Sequence, residues 1–158
     1  MDVVIREVLE TDFDQVSIVF ADENAFHSQL LPERFQIADP IMTPDWFNEI
    51  LANENKALLV AESEGKLLGL VLIELMTAPD DPIFKPRRYA YIEELAVLKE
   101  YRGHGIGRRL MIKTHEWITA QGVKEVELFV WERNPNAIRF YEQLGYQMVR
   151  RGMKLDLD

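Results

Sequence analysis

Residues 91–110, YIEELAVLKEYRGHGIGRRL, decide how this chain folds. The stretch opens as a half-polar, strand-forming run, breaks at a turn marked by Arg102, Gly103, Gly105 and Gly107, and continues through Ile106 and Leu110 as an amphipathic helix. Glycine lets backbone approach a ligand with no Cβ in the way, and N–H groups at a helix start point outward where the dipole favours negative charge. Segment 103–107 therefore reads as a cradle for phosphate or pyrophosphate. A GxGxxG fingerprint would need glycine at 108, where Arg108 stands, and a P-loop would need Lys followed by Ser or Thr after its last glycine. Glu125 and Glu127, about 20 residues on, keep a dinucleotide-binding reading open.

Moving outward, the helix is expected to end at Gly122, and residues 123–132, VKEVELFVWE, to form a strand with Val126, Leu128 and Val130 on one face. Strand, helix, strand is a crossover that makes the two strands parallel neighbours. Asn134, Pro135 and Gly145 bracket a last helix, and the tail from Tyr146 is expected to add one or two short strands. On the other side, residues 57–62 and 67–76 read as antiparallel strands of a hairpin, with a proline-rich loop over 77–88. Val3–Val8 reads as a first strand. Thr11 is the expected cap of a helix running to about Phe26, and Thr43 with Pro44 starts a second helix through Trp46, Phe47, Ile50 and Leu51.

The fold class expected is α/β in the α+β sense, a mixed, mainly antiparallel sheet flanked by helices, as a single domain over 1–158. The chain has 158 residues and no cysteine, so sulfur nucleophiles, thiolate metal sites and disulfides are excluded. No run is apolar enough to span a membrane, and MDVVIREVLE lacks the basic and apolar regions of a signal peptide, so a cytoplasmic protein is expected. The net charge of −9 disfavours nucleic acid and suits a cationic partner. His27, His104 and His115 lack HxxxH spacing, so no metal is expected, and Ser17, Ser28 and Ser63 lie in no GxSxG elbow.

Two side-chain groups draw attention as catalysts. Glu93 and Glu94 are consecutive acids in the strand, so only one would face a ligand unless a bulge re-aims them. Tyr141 follows Asn134 by two helical turns and so lies on the same side of the last helix.

Together, the RxxGxG turn of Arg102–Gly107, the strand acids Glu93 and Glu94, and the later NPNAIRFYEQLGY resemble the GNAT superfamily of N-acetyltransferases, over roughly the second half of the chain. The stretch YIEELAVLKEYRGHGIG is also similar to the diamine and polyamine acetyltransferases of that superfamily. The resemblance implies acetyl-coenzyme A as co-substrate, its pyrophosphate held by Arg102, Gly103, His104, Gly105, Ile106 and Gly107, and its pantetheine arm along Leu95, Ala96 and Val97. It implies a cofactor contact for Asn134, a proton from Tyr141 to the thiolate, and an acid–base or amine-binding role for Glu93 and Glu94. The acceptor is then a small-molecule primary amine, with peptide N-termini, a non-catalytic acyl-coenzyme A sensor and a nucleotide-dependent oxidoreductase as rivals. A homodimer is left open.

Overall fold

Val4–Glu7 forms β1, and its Arg6 is held between Glu62, 2.6 Å away, and Asp12, 2.7 Å away. Asp12 is buried and also accepts the Leu9 N–H at 2.7 Å, which shapes the turn into α1, Phe13–Leu30. Hydrogen bonds from Arg6 above all, then from Leu9, hold the Asp12 carboxyl below its ordinary range. The helix cap therefore falls at Asp12 rather than at the expected Thr11, which lies inside the preceding 3₁₀ turn. The helix also runs past Phe26 to Leu30, ending where Pro32 disfavours helical backbone at Leu31. Pro44–Ala52 is α2, with the Thr43 hydroxyl accepting the Trp46 N–H at 3.2 Å as the sequence predicts.

Lys56–Ser63 (β2) and Lys66–Thr77 (β3) form an antiparallel hairpin through Glu64 and Gly65, both at positive φ, the two-residue turn that matches strand twist. Arg88–Val97 (β4) pairs antiparallel with β3, Ile106–Ala120 is α3, and Val126–Leu128 (β5) returns parallel to β4. The sheet order is β1-β2-β3-β4-β5, mixed and mainly antiparallel. Leu58, Val60, Leu70 and Leu72 pack with Val16, Val19 and Phe20 of α1 and Phe47 and Ile50 of α2. The alternate residues Leu59, Ala61, Val71 and Ile73 point to the other face, which α3 covers with Ile106, Leu110, Met111 and Ile118.

The structure is a computed structural model that describes Met1–Asp158. It falls into two compact units, Met1–Leu128 and Phe129–Asp158. In the second, Pro135–Gln143 forms α4, capped by the Asn134 side chain, which accepts the Ala137 N–H at 3.1 Å, and Gly145 takes φ +95° just beyond its end. Two expectations are corrected. The last strand is three residues long, not 123–132, and Val130 lies outside it, because the ladder to β4 ends at Ile92, where β4 loses its regular register. The tail forms no strand: Met153, Leu155 and Leu157 alternate as a strand would, yet each is at least 80% exposed and has no ladder partner.

Candidate active site

The glycine turn leaves β4 through a 3₁₀ turn at Lys99–Tyr101 and an extended Arg102. Gly103 (φ +79°) and Gly105 (φ +78°) both sit in the left-handed region, and Gly105 caps α3 without any side-chain hydrogen bond. A Cβ at either position would meet nothing within 4 Å, so backbone conformation, not crowding, demands glycine there. The first N–H groups of α3 have no acceptor inside the helix, Gly103, His104 and Gly105 are exposed, and buried Ile106 anchors the turn to the core. The ring Nδ1 of His104 lies 2.9 Å from the Arg102 carbonyl oxygen and 3.2 Å from that of Tyr101, tying the turn together. The chemistry fits a diphosphate held by main-chain amides.

Arg102 and Arg109, which flank the turn, are engaged by protein acceptors. Arg102 donates through Nε to the Val97 carbonyl at 2.8 Å and through Nη2 to Asp22 of α1 at 2.8 Å. Arg109 donates to the Val3 carbonyl. Arg87 engages Glu125 at 2.7 Å and Glu127 at 3.1 Å, which occupies the two acids on which a dinucleotide reading rested.

The strand acids sit at a break in the sheet. Leu72 pairs with Glu94 but Ile73 pairs with Ile92, so Glu93 is a surplus residue, a β-bulge. As a result consecutive acids share one face. Glu93 reaches Lys56 at 3.4 Å and neighbours the Glu74 carboxyl, both on the α1 side of the sheet, while Glu94 meets Glu23 and His27 of α1. Neither acid pairs with Arg87 or Arg88. The β4–β5 ladder covers only Ala90–Ile92, so β4 from Glu93 to Val97 has an edge that no strand of the sheet pairs. On its β3 side, Gly69 lies so close that a Cβ would fall 2.6 Å from the Ala96 carbonyl oxygen.

Burial makes these carboxyls reluctant to ionise. Glu94 is pushed up to about 8 by desolvation first, then by the negative charges of Glu23 and Glu93. Glu23 is pushed up to about 7, again mainly by burial, with the Arg102 guanidinium 3.9 Å away opposing the shift. Glu93 is raised by burial and by its carboxyl neighbour Glu74, against the pull of Lys56. Burial lowers His27, which bonds Glu23 at 3.1 Å. The donor atoms of Glu23, His27 and Glu94 lie within 4.8 Å of one another. The Arg102 guanidinium stands 3.9 Å from the Glu23 carboxylate of this trio.

Glu23 and Lys56 are residues that the sequence reading left out, and His27 is one to which it gave no role. Glu23 and His27 stand one turn apart on α1, a spacing visible in the sequence, but nothing local tells that this helix face meets β4. In the second unit, Tyr141 is half-buried and contacts the rings of Phe140 (5.2 Å) and Tyr146 (5.6 Å) edge-on. The Asn134 side chain is engaged as the α4 cap.

A model of the acetyltransferase (GNAT) family matches residues 20–146. The chain is 32% identical over 155 residues to N-alpha-acetyltransferase 60 of Xenopus tropicalis, covering 89% of this chain and 58% of that one. It is 36% identical over 138 residues to L-ornithine N5-acetyltransferase of Arabidopsis thaliana, covering 83% and 60%. The match thus spans about three fifths of the length of these relatives. A solved tetramutant of the BH1408 protein from Bacillus halodurans superposes with a TM-score of 0.90 at 28% identity, covering 98% of this chain and 99% of that one. With the glycine turn, the mixed sheet and a family match across most of its length, the chain belongs to the GNAT family of acetyltransferases.

Proposed function

We propose that this chain transfers the acetyl group of acetyl-coenzyme A, the co-substrate of its family, to a primary amine of a small cationic acceptor. One observation carries the reading. The bulge at Glu93 sets two reluctant carboxyls on one face, beside a strand edge left unpaired and one short turn from an uncapped helix start. Once ionised, such a carboxyl pairs with an ammonium group and takes a proton more readily than an ordinary carboxylate.

In this reading, N–H groups of 103–107 hold the diphosphate and the main chain of Leu95, Ala96 and Val97 lines the pantetheine arm. An alkyl ammonium releases its proton near pH 10.4, so a base is needed on the path. Glu94, whose carboxyl is pushed up to about 8, accepts that proton directly or through water. Glu93 holds Lys56 and Glu74 in place and adds negative charge on the amine's path. The bound thioester supplies the acyl carbon that the amine attacks, and its C–S bond breaks. Tyr141 then donates a proton to the departing thiolate, a role supported by the family pattern in NPNAIRFYEQLGY. We also read 1–158 as one domain, a reading supported by a family match that runs across the boundary at Leu128.

The acceptor has a second reading, a peptide N-terminus, favoured by the likeness to an N-alpha-acetyltransferase. Thiol release from acetyl-coenzyme A across diamines, polyamines, amino acids, aminoglycosides and short peptides separates the two. Turnover on small amines above that on peptides supports the first. Binding without turnover on any of them leaves a sensor and overturns the catalytic reading.

A further inference from the structure

Arg102, the first residue of the glycine turn, carries its side chain away from the exposed glycines. Its Nε is spent on the Val97 carbonyl at 2.8 Å and its Nη2 on Asp22 Oδ2 at 2.8 Å, and its guanidinium lies over the Phe26 ring, 4.9 Å from the centroid. The same Asp22 oxygen accepts the Lys99 N–H at 3.1 Å. One carboxylate on α1 thus holds both ends of the segment 99–102 that feeds the turn. Asp22 is the residue next to Glu23, and His27 follows one helical turn later, on the face that meets Glu94.

We infer that Asp22 is a positioning residue that fastens α1, the helix whose Glu23 and His27 meet the proposed base Glu94, to the diphosphate turn, so that the two substrate sites are set by one ionic clasp. The inference rests on the reading above, in which segment 103–107 holds the diphosphate. Arg102 acts from this clasp as a strut and not as a phosphate ligand, because two sides of its planar fork already face protein acceptors. Without the Asp22 charge, the nearest carboxylate to Arg102 is Glu23, whose oxygen lies 3.9 Å from Nη2. Turning toward it would draw Glu23 off His27 and slacken the start of the turn together.

The test is calorimetry of coenzyme A binding to the full chain, for the wild type, Asp22→Asn, Arg102→Gln and the double variant, with the amine KM measured at saturating acetyl-coenzyme A. Asp22→Asn keeps an oxygen for the Lys99 N–H and removes only the charge. Each single change is expected to weaken coenzyme A about ten-fold. The double change is expected to cost no more than either one, and the amine KM to rise with kcat within about two-fold. Asp22→Glu is expected to recover part of the affinity, which a fold defect would not allow. Wild-type affinity in Asp22→Asn, or additive losses in the double variant, would overturn the clasp. A weakened coenzyme A site with an unchanged amine KM would overturn its link to the acceptor side. Failure of the wild type to bind coenzyme A would sink the underlying reading instead, and is told apart by that control.

Discussion

Glu94 meets Glu23 and His27 from α1 and Glu93 along its own strand, with the Arg102 cation one residue further out, against Glu23. Its raised carboxyl has two consequences of opposite sense. As a base it must be ionised, so kcat/KM is expected to climb through pH 8, and Glu94→Gln to remove that limb while lowering turnover about 10²-fold or more. For stability the sign reverses. The native carboxyl keeps its proton to a higher pH than the unfolded one, whose ordinary value is 4.5, so stability falls as pH rises from there toward 8. Glu94→Gln should therefore flatten that fall and, near pH 8, move the urea midpoint upward. An unchanged slope in urea titrations at pH 5 and pH 8 would contradict the assignment. Tyr141→Phe is expected to lower kcat about 10²-fold with the coenzyme A affinity retained, read by comparing turnover with calorimetry.

At the scale of elements, the proposed diphosphate site rests on the backbone of the turn that opens α3. Gly105→Ala places a Cβ at φ +78°, a strain of about 1–2 kcal/mol that falls on the start of α3. It is expected to weaken coenzyme A several-fold with a modest drop in Tm. Much of this was legible in the sequence: the hairpin through Gly65, the Thr43 cap with Pro44, and the parallel return after α3 all follow from local pattern. The rest was not, for physical reasons. A bulge breaks the period-two rule by one residue, and no composition marks Glu93 as surplus. That break also shortens β5, so VKEVELFVWE looks more strand-like than it is. Asp22 and Arg102 are brought together across 80 residues, beyond any local spacing. Arg6, Asp12 and Leu9 likewise moved the helix cap one residue past the expected Thr11.

Over the whole molecule, a net charge of −9 surrounds a site whose acids already lack enough counter-charge. Attraction of a polycationic acceptor is long-range and screened, with a Debye length of about 10 Å at 0.1 M salt and about 3 Å at 1 M. The KM of a polyamine is expected to rise several-fold between those salts, and that of a neutral peptide substrate much less, in steady-state assays at constant pH. No helix is long and apolar enough to cross a membrane. The family match covers residues of both units. The residue at position 93 is surplus to the ladder between β3 and β4. Excising it would let Ile92 run straight into Glu94 with every later side chain still on its own side of the sheet. Such a shortened strand would regain an unbroken ladder with β3 and keep Glu94 on the α1 side, at the loss of the Glu93 carboxyl that meets Lys56.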